Sequence, residues 1–168
     1  AERWPKLWHF AHSFSMLIVQ SKTDGFWIMD KRRLGAQGSE ISAIGIGAMS
    51  FSNFYGATDE TQSHAILSAA LDEGVTHIDT ANVYGMGTSE TVIGTFLANQ
   101  GKRRNELFSI ASKAGIARRK ELGERYFDNS LAYLEAELDK TLARLGVDII
   151  DVYYIHRRDA AIPIEEVS

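Results

Sequence analysis

Four polar residues stand where an apolar stretch of chain has little use for them. Asp79, Lys113 and His156 each sit at the end of a short, largely apolar run, and Tyr84 follows Asp79 by five positions. Alternate residues of a strand share a face. His77 and Asp79 therefore share one, as do Leu107, Ser109, Ala111 and Lys113, and Ile150, Val152, Tyr154 and His156. A charge in such a row is costly unless it is paired or lies at a rim. If the three strands run parallel, their last polar members gather at one mouth, where parallel α/β folds place their chemistry.

Taken singly, each residue has an ordinary explanation. An Asp after a strand is usually a cap, a Lys a solvated charge, a His a hydrogen-bonded structural residue and a Tyr a packing residue. Together they outline acid–base chemistry. A phenol ionises near pH 10 in water, and an ammonium beside it favours the anion. Asp79 is placed to hold Lys113, and His156 to orient a substrate carbonyl. Tyr84 then gives a proton to the forming alkoxide, or takes one from an alcohol. No side chain donates hydride, so this chemistry implies a nicotinamide cofactor. His77, two residues deeper in its strand, is expected to be a hydrogen-bonded core residue.

The elements that must position these groups follow an alternating pattern. Residues 33–40, with Gly35 and Gly38, predict a hairpin, and Ile41 to Ser50 a strand entering a glycine-rich loop. Asp59 is a helix N-cap with Gln62 as its partner, and Gly74 ends that helix. Val75 to Thr80 predicts a second strand, Ser89 to about Gln100 a second helix stopped by Gly101, and Leu107 to Lys113 a third strand. Leu131, Leu134, Leu138, Leu142 and Leu145 form the apolar stripe of a third helix, which Gly146 stops. Asp148 to His156 is a fourth strand, and Pro163 with Glu165 and Glu166 marks the entry to a fourth helix. Strands joined through helices are parallel, which gives an α/β class. An open doubly wound sheet and a (β/α) barrel both fit. A whole barrel takes about 250 residues, so residues 29–168 cover about half of one.

Composition bounds the rest. The chain has 168 residues, 45% hydrophobic and 24% charged, with a formal net charge of -4. That is the profile of a folded protein, with no general attraction for nucleic acid or an anionic membrane. The absence of cysteine excludes disulfides, thiolate metal sites and a cysteine nucleophile, and suits a cytoplasmic setting. The longest apolar run, Phe10 to Gln20, is broken by His12, Ser13 and Ser15, well short of the roughly 20 residues of a membrane helix. Residues 1–28 hold Trp4, Trp8 and Trp27 but no clear period, so they are expected to be an extension, with the domain starting near Met29. With Ala1 first and Glu-Glu-Val-Ser last, the chain is expected to be cut at both ends.

The segments around the four residues carry a specific resemblance. Asp79-Thr-Ala-Asn-Val-Tyr84-Gly85, Ser112-Lys113-Ala-Gly115 and Tyr154-Ile-His156-Arg157 are similar to the three tetrad segments of the aldo-keto reductase family. Gly45-Ile-Gly47-Ala-Met49-Ser50, Ser89-Glu90 and Leu145-Gly146-Val-Asp148 fit in order and spacing. The resemblance covers about residues 31–168. It implies a TIM-type (β/α)8 barrel closed at its base by an N-terminal hairpin, present here as that hairpin and about four β/α units. It implies reduction of small-molecule aldehydes and ketones with NADPH and without a metal. Asp79, Tyr84, Lys113 and His156 are then the tetrad, and Gly47, Ala48, Met49 and Asp79 lie near the nicotinamide. Strands five to eight, which supply most of the cofactor pocket in the family, have no counterpart, so the chain is expected to be a fragment of a longer enzyme that by itself binds cofactor weakly or not at all.

Other classes fit less well. A non-catalytic nucleotide-binding barrel that regulates a partner shares the fold, but the intact tetrad favours an enzyme. A Rossmann reading of Gly45-Ile-Gly47-Ala-Met49-Ser50 lacks the third glycine and a suitably spaced acid. The basic runs Lys102-Arg103-Arg104 and Arg118-Arg119-Lys120 fit solvated surface better than a nucleic-acid interface.

Overall fold

The computed structural model describes residues 20–23, 26–101, 106–118 and 123–167. Its centre is a parallel sheet of β5 (Ile46–Gly47), β6 (His77–Asp79), β7 (Ser109–Ala114) and β10 (Val152–Ile155), in the spatial order β10-β7-β6-β5. Each strand lies beside the one that precedes it along the chain. A doubly wound sheet reverses its strand order at a switch point, and no reversal occurs here. The connecting helices are α1 (Glu60–Asp72), α2 (Thr88–Ala98) and α3 (Leu131–Leu145). Leu67, Ile93 and Leu145 from these helices share one core with Ile78 and Ile110 of the sheet. Ile78 and Ile110 are register partners, so the helices cover the same face. A one-sided layer in sequential order is the arrangement of a barrel wall.

Local sequence explains the helices. The Asp59 carboxylate accepts from the Gln62 backbone N–H at 2.7 Å, and the Ser130 hydroxyl accepts from that of Tyr133. Such caps contribute about 1 kcal/mol each. The glycines expected to stop helices, Gly74, Gly101 and Gly146, all have positive φ. The leucine stripe of α3 is only partly used: Leu145 is fully buried, whereas Leu131 is 62% exposed. Each fully buried aliphatic side chain contributes roughly 1.5–3 kcal/mol, so the C-terminal half of α3 anchors it.

The strand expected over Ile41 to Ser50 is interrupted. β4 (Glu40–Ser42) pairs antiparallel with β3 (Lys31–Arg33) as the predicted hairpin, but β5 begins only at Ile46, and Ala48–Ser52 forms a 3-10 turn. The cause is Ser42. Its hydroxyl donates to the Ile44 carbonyl and accepts from the Thr76 backbone N–H, while its own N–H donates to the Thr76 hydroxyl at 2.9 Å. A serine that bonds its local backbone offers the chain an alternative to the ladder. Two further differences lie toward the C-terminus. β8 (Ile116–Arg118) and β9 (Arg125–Phe127) form an antiparallel hairpin that the sequence does not announce. At the expected entry to a fourth helix, Ile164–Glu166 forms a single 3-10 turn.

Most of the proposed N-terminal extension lies outside the described residues. Within it, β1 (Gln20–Thr23) pairs antiparallel with β2 (Phe26–Met29). Among the described residues no helix is long and apolar enough to cross a membrane.

Candidate active site

The register of the sheet explains how residues distant in sequence converge. Gly47 pairs with Asp79, and Asp79 with Ala111. Lys113 stands two residues further along β7 and pairs with Tyr154, and His156 follows two residues beyond Tyr154. Successive strand ends thus climb by two residues, which is the stagger of a sheet that curls into a barrel. The segment after β6 climbs with it. The Thr80 N–H donates to the Ala111 carbonyl and the Asn82 N–H to that of Lys113. The chain then tightens, the Tyr84 N–H donating to the Ala81 carbonyl at 3.1 Å. Gly85 has φ +61°, and a Cβ there would lie 2.7 Å from the Cβ of Ser52. Only glycine gives this turn both its backbone conformation and its room.

Lys113 is the hub. Its Nζ donates to the Asp79 carboxylate, to the Thr80 carbonyl at 2.8 Å and to the Tyr84 hydroxyl at 3.3 Å. The side chain of Lys113 is largely buried and that of Asp79 is 38% exposed, so the pair bridges the core and the open face. The rings of Tyr84 and His156 meet edge to face, with centroids 5.7 Å apart and planes at 85°. All four residues that the sequence singled out are therefore in one constellation. His77 stands apart from it, its Nδ1 3.1 Å from the Ser109 carbonyl, as expected of a structural histidine.

His156 has the clearest electrostatic signature. Burial pushes its pKa below the usual 6.5, the Lys113 and Arg157 charges add to this, and Asp79 opposes. The folded chain therefore prefers the neutral imidazole, suited to hydrogen bonding with a carbonyl. Between its depressed value and the ordinary one, the unfolded chain binds more protons at this site than the folded chain. Stability from this residue is then complete above about pH 6.5 and falls as pH drops through the folded value. The urea midpoint should decrease between about pH 7.5 and about pH 5, and His156→Gln should flatten part of that slope. An unchanged slope in the variant would remove the effect from His156.

The loop after β5 is divided in its placement. Gly47 is exposed beside Asp79, and a Cβ on it would meet nothing within 4 Å. Ala48 is buried, with its carbonyl accepting from the Ser89 hydroxyl at 2.7 Å. Met49 is half-buried, its sulfur 3.8 Å from the Tyr55 hydroxyl. Phe54 and Tyr55 stand exposed with rings in an edge contact. On the sheet face that bears these four residues, Tyr154 is 47% exposed. A separate cleft of about 570 Å³ lies behind the Tyr84 loop, against Ile116, Tyr133, Glu137 and Arg144. Two buried residues of this region, Ser89 and Glu90, entered the sequence reading only as the start of a helix and through the family resemblance. Their hydrogen-bond partners lie as far as 54 positions away.

The class that fold and site define is confirmed by comparison. The Aldo/keto reductase family model matches residues 43–168. The chain belongs to the aldo/keto reductase family, and with it to the TIM-barrel fold. It is 40% identical over 127 residues to an aldo-keto reductase of Schizosaccharomyces pombe named for NADP(+), covering 76% of this chain and 37% of the relative. The holo form of an aldo-keto reductase from Bacillus halodurans superposes with a TM-score of 0.70 at 34% identity, over 83% of this chain and 44% of that one. A glycerol dehydrogenase from Gluconobacter oxydans gives a TM-score of 0.69 at 29% identity, over 82% and 42%. The chain thus spans less than half the length of each of these relatives.

Proposed function

We propose that this chain supplies the proton-transfer centre of an NADPH-dependent reductase of aldehydes and ketones. The observation that carries the reading is the contact of the Lys113 ammonium with both the Asp79 carboxylate and the Tyr84 hydroxyl. Residues 29–168 are taken as the barrel portion and residues 1–28 as an extension. The name of the Schizosaccharomyces pombe relative supports NADPH as the cofactor.

The residues present fit a nicotinamide. Gly47 is bare and open beside the partly exposed Asp79, so a flat ring and its ribose find space and a hydrogen-bond acceptor there. When bound, the reduced nicotinamide supplies the hydride. The protein's own residues do the rest. His156, neutral and edge-on to Tyr84, orients the carbonyl oxygen. The Tyr84 hydroxyl passes its proton to that oxygen as it becomes an alkoxide. The Lys113 ammonium stabilises the negative charge then left on the phenol oxygen, and Asp79 holds the ammonium in place. In the oxidative direction the same groups act in reverse. Phe54 and Tyr55 offer an apolar surface for the organic part of the substrate.

The experiment is carbonyl-dependent oxidation of NADPH by a chain that carries all eight strands. Turnover with small aldehydes or ketones is expected, and none across a broad carbonyl panel would overturn the proposal. The 168-residue chain itself should bind NADPH more weakly than about 100 μM, because tight small-molecule sites bury most of their ligand. Here the tetrad face is open enough to leave Tyr154 47% exposed. Saturation of nicotinamide fluorescence at low micromolar chain would show that the site is complete without further strands.

A further inference from the structure

The first turn of α2 carries two residues with no solvent exposure, Ser89 and Glu90. Each reaches a residue next to a tetrad member. The Ser89 hydroxyl donates to the Ala48 carbonyl at 2.7 Å. Having given its one proton there, it accepts from the Thr80 hydroxyl at 2.9 Å. Thr80 follows Asp79, and its carbonyl is one of the three acceptors of Lys113. Glu90 Oε1 accepts from the Ser112 hydroxyl at 2.7 Å and the Thr141 hydroxyl at 2.9 Å, and Oε2 accepts from Arg144 Nε at 2.7 Å. Ser112 precedes Lys113. The helix is also joined to Tyr84 directly, the Ser89 N–H donating to the Tyr84 carbonyl at 3.2 Å.

Stability alone does not call for this arrangement. An acid in the first turn of a helix gains from the macrodipole while remaining in water. Withdrawing it completely costs several kcal/mol that a buried ion pair only roughly repays. What the burial adds is geometry. The carboxylate fixes α2 to β7 and to α3 at once, and the serine beside it fixes α2 to the end of β6 and to the loop after β5. The helix that follows Tyr84 is thereby locked to both strands that carry its partners.

We propose that Ser89 and Glu90 are positioning residues that hold the Tyr84 hydroxyl within reach of the Lys113 ammonium. Their catalytic meaning rests on the function proposed above, but the positional claim is tested without turnover. The probe is the His156 imidazole, followed by NMR titration in the 168-residue chain, with His156→Gln to assign its signal. The Lys113, Arg157 and Asp79 charges act on it, and the Tyr84 ring lies against it. If the lock is released, Lys113 drifts and the pocket loosens, and both changes raise the midpoint of His156.

Glu90→Gln should raise that midpoint by about half a pH unit, and Ser89→Ala should raise it by less. Leu67→Ala, in the core of α1 and away from the lock, serves as the destabilised comparison and should leave the midpoint unchanged. Urea midpoints measured in parallel separate lost stability from lost alignment. The proposal is overturned if Glu90→Gln and Ser89→Ala unfold at lower urea yet titrate His156 as the parent chain does. It is also overturned if Leu67→Ala shifts the midpoint as much as they do. Should Glu90→Gln not fold, Ser89→Ala, which removes a single hydroxyl, decides by the same criterion. A shift of His156 together with no carbonyl reduction by the eight-stranded chain would sink the proposed function and leave the positioning role standing.

Discussion

Tyr84→Phe should lower carbonyl-dependent NADPH oxidation by about 10²–10⁴-fold, the range expected for loss of a positioned general acid. The effect should fall on kcat, because the substitution removes one oxygen and leaves the ring. That ring carries the edge contact with His156 and lies under the Lys113 ammonium, which is 5.0 Å from its centroid. Packing is therefore kept, and the urea midpoint should move little. What is lost is the hydroxyl 3.3 Å from Lys113 Nζ, and no other hydroxyl among the described residues is placed to replace it beside that ammonium. Initial rates in an eight-stranded chain, with and without the substitution, check this. Retained turnover with intact folding would show that another group delivers the proton, and the assignment of Tyr84 would fall.

Gly94→Ala should destabilise the chain, by up to about 2 kcal/mol net of the better helix propensity of alanine. Alanine in a helix interior gains about 1 kcal/mol over glycine. Against that stands the packing of α2 on α3. A Cβ on Gly94 would lie 2.0 Å from the backbone carbonyl oxygen of Arg144 and 3.0 Å from the Leu145 Cα. These are backbone atoms and cannot swing aside as a flexible side chain would. The helices must part, and overpacking of this kind costs typically 1–3 kcal/mol and sometimes more. Parting them also pulls Glu90 on α2 away from Thr141 and Arg144 on α3. Urea denaturation measures the loss. A midpoint at or above that of the parent chain would mean that the helices are not in such close contact.

The two substitutions probe features of different legibility. The four clustered residues were largely readable along the chain, because polar residues at the ends of apolar strand rows stand out against a period-two pattern. The register brings these residues together, since a two-residue climb from Asp79 to Lys113 to His156 needs only parallel neighbours in sequence order. Helix ends were readable for a similar reason: Asp59 as a cap and Gly74, Gly101 and Gly146 as stops act on their own immediate backbone. The strand expected over Ile41 to Ser50 failed because Ser42 turns the chain through hydrogen bonds to Ile44 and to Thr76, which lies 34 positions away. The β8–β9 hairpin was missed because its residues, among them Arg118 and Arg125, show no apolar alternation.

By itself the sequence determined the alternation of the central parallel strands with three helices, carried the likeness to the family, and marked four polar residues that the fold brings together. Those are consequences of local periodicity, capping and residue type. The tertiary structure alone decided which acid is paired and buried. Glu90 in a first helical turn looks like an exposed charge serving the helix dipole, and only the packing of α2 between β7 and α3 brings Ser112, Thr141 and Arg144 to it. It also decided that α2 and α3 meet backbone to backbone at Gly94, and that Ala48 turns into the core while Gly47 beside it stays open. Such outcomes depend on contacts between segments 22 to 54 residues apart, and no local pattern in the chain encodes a distance of that kind.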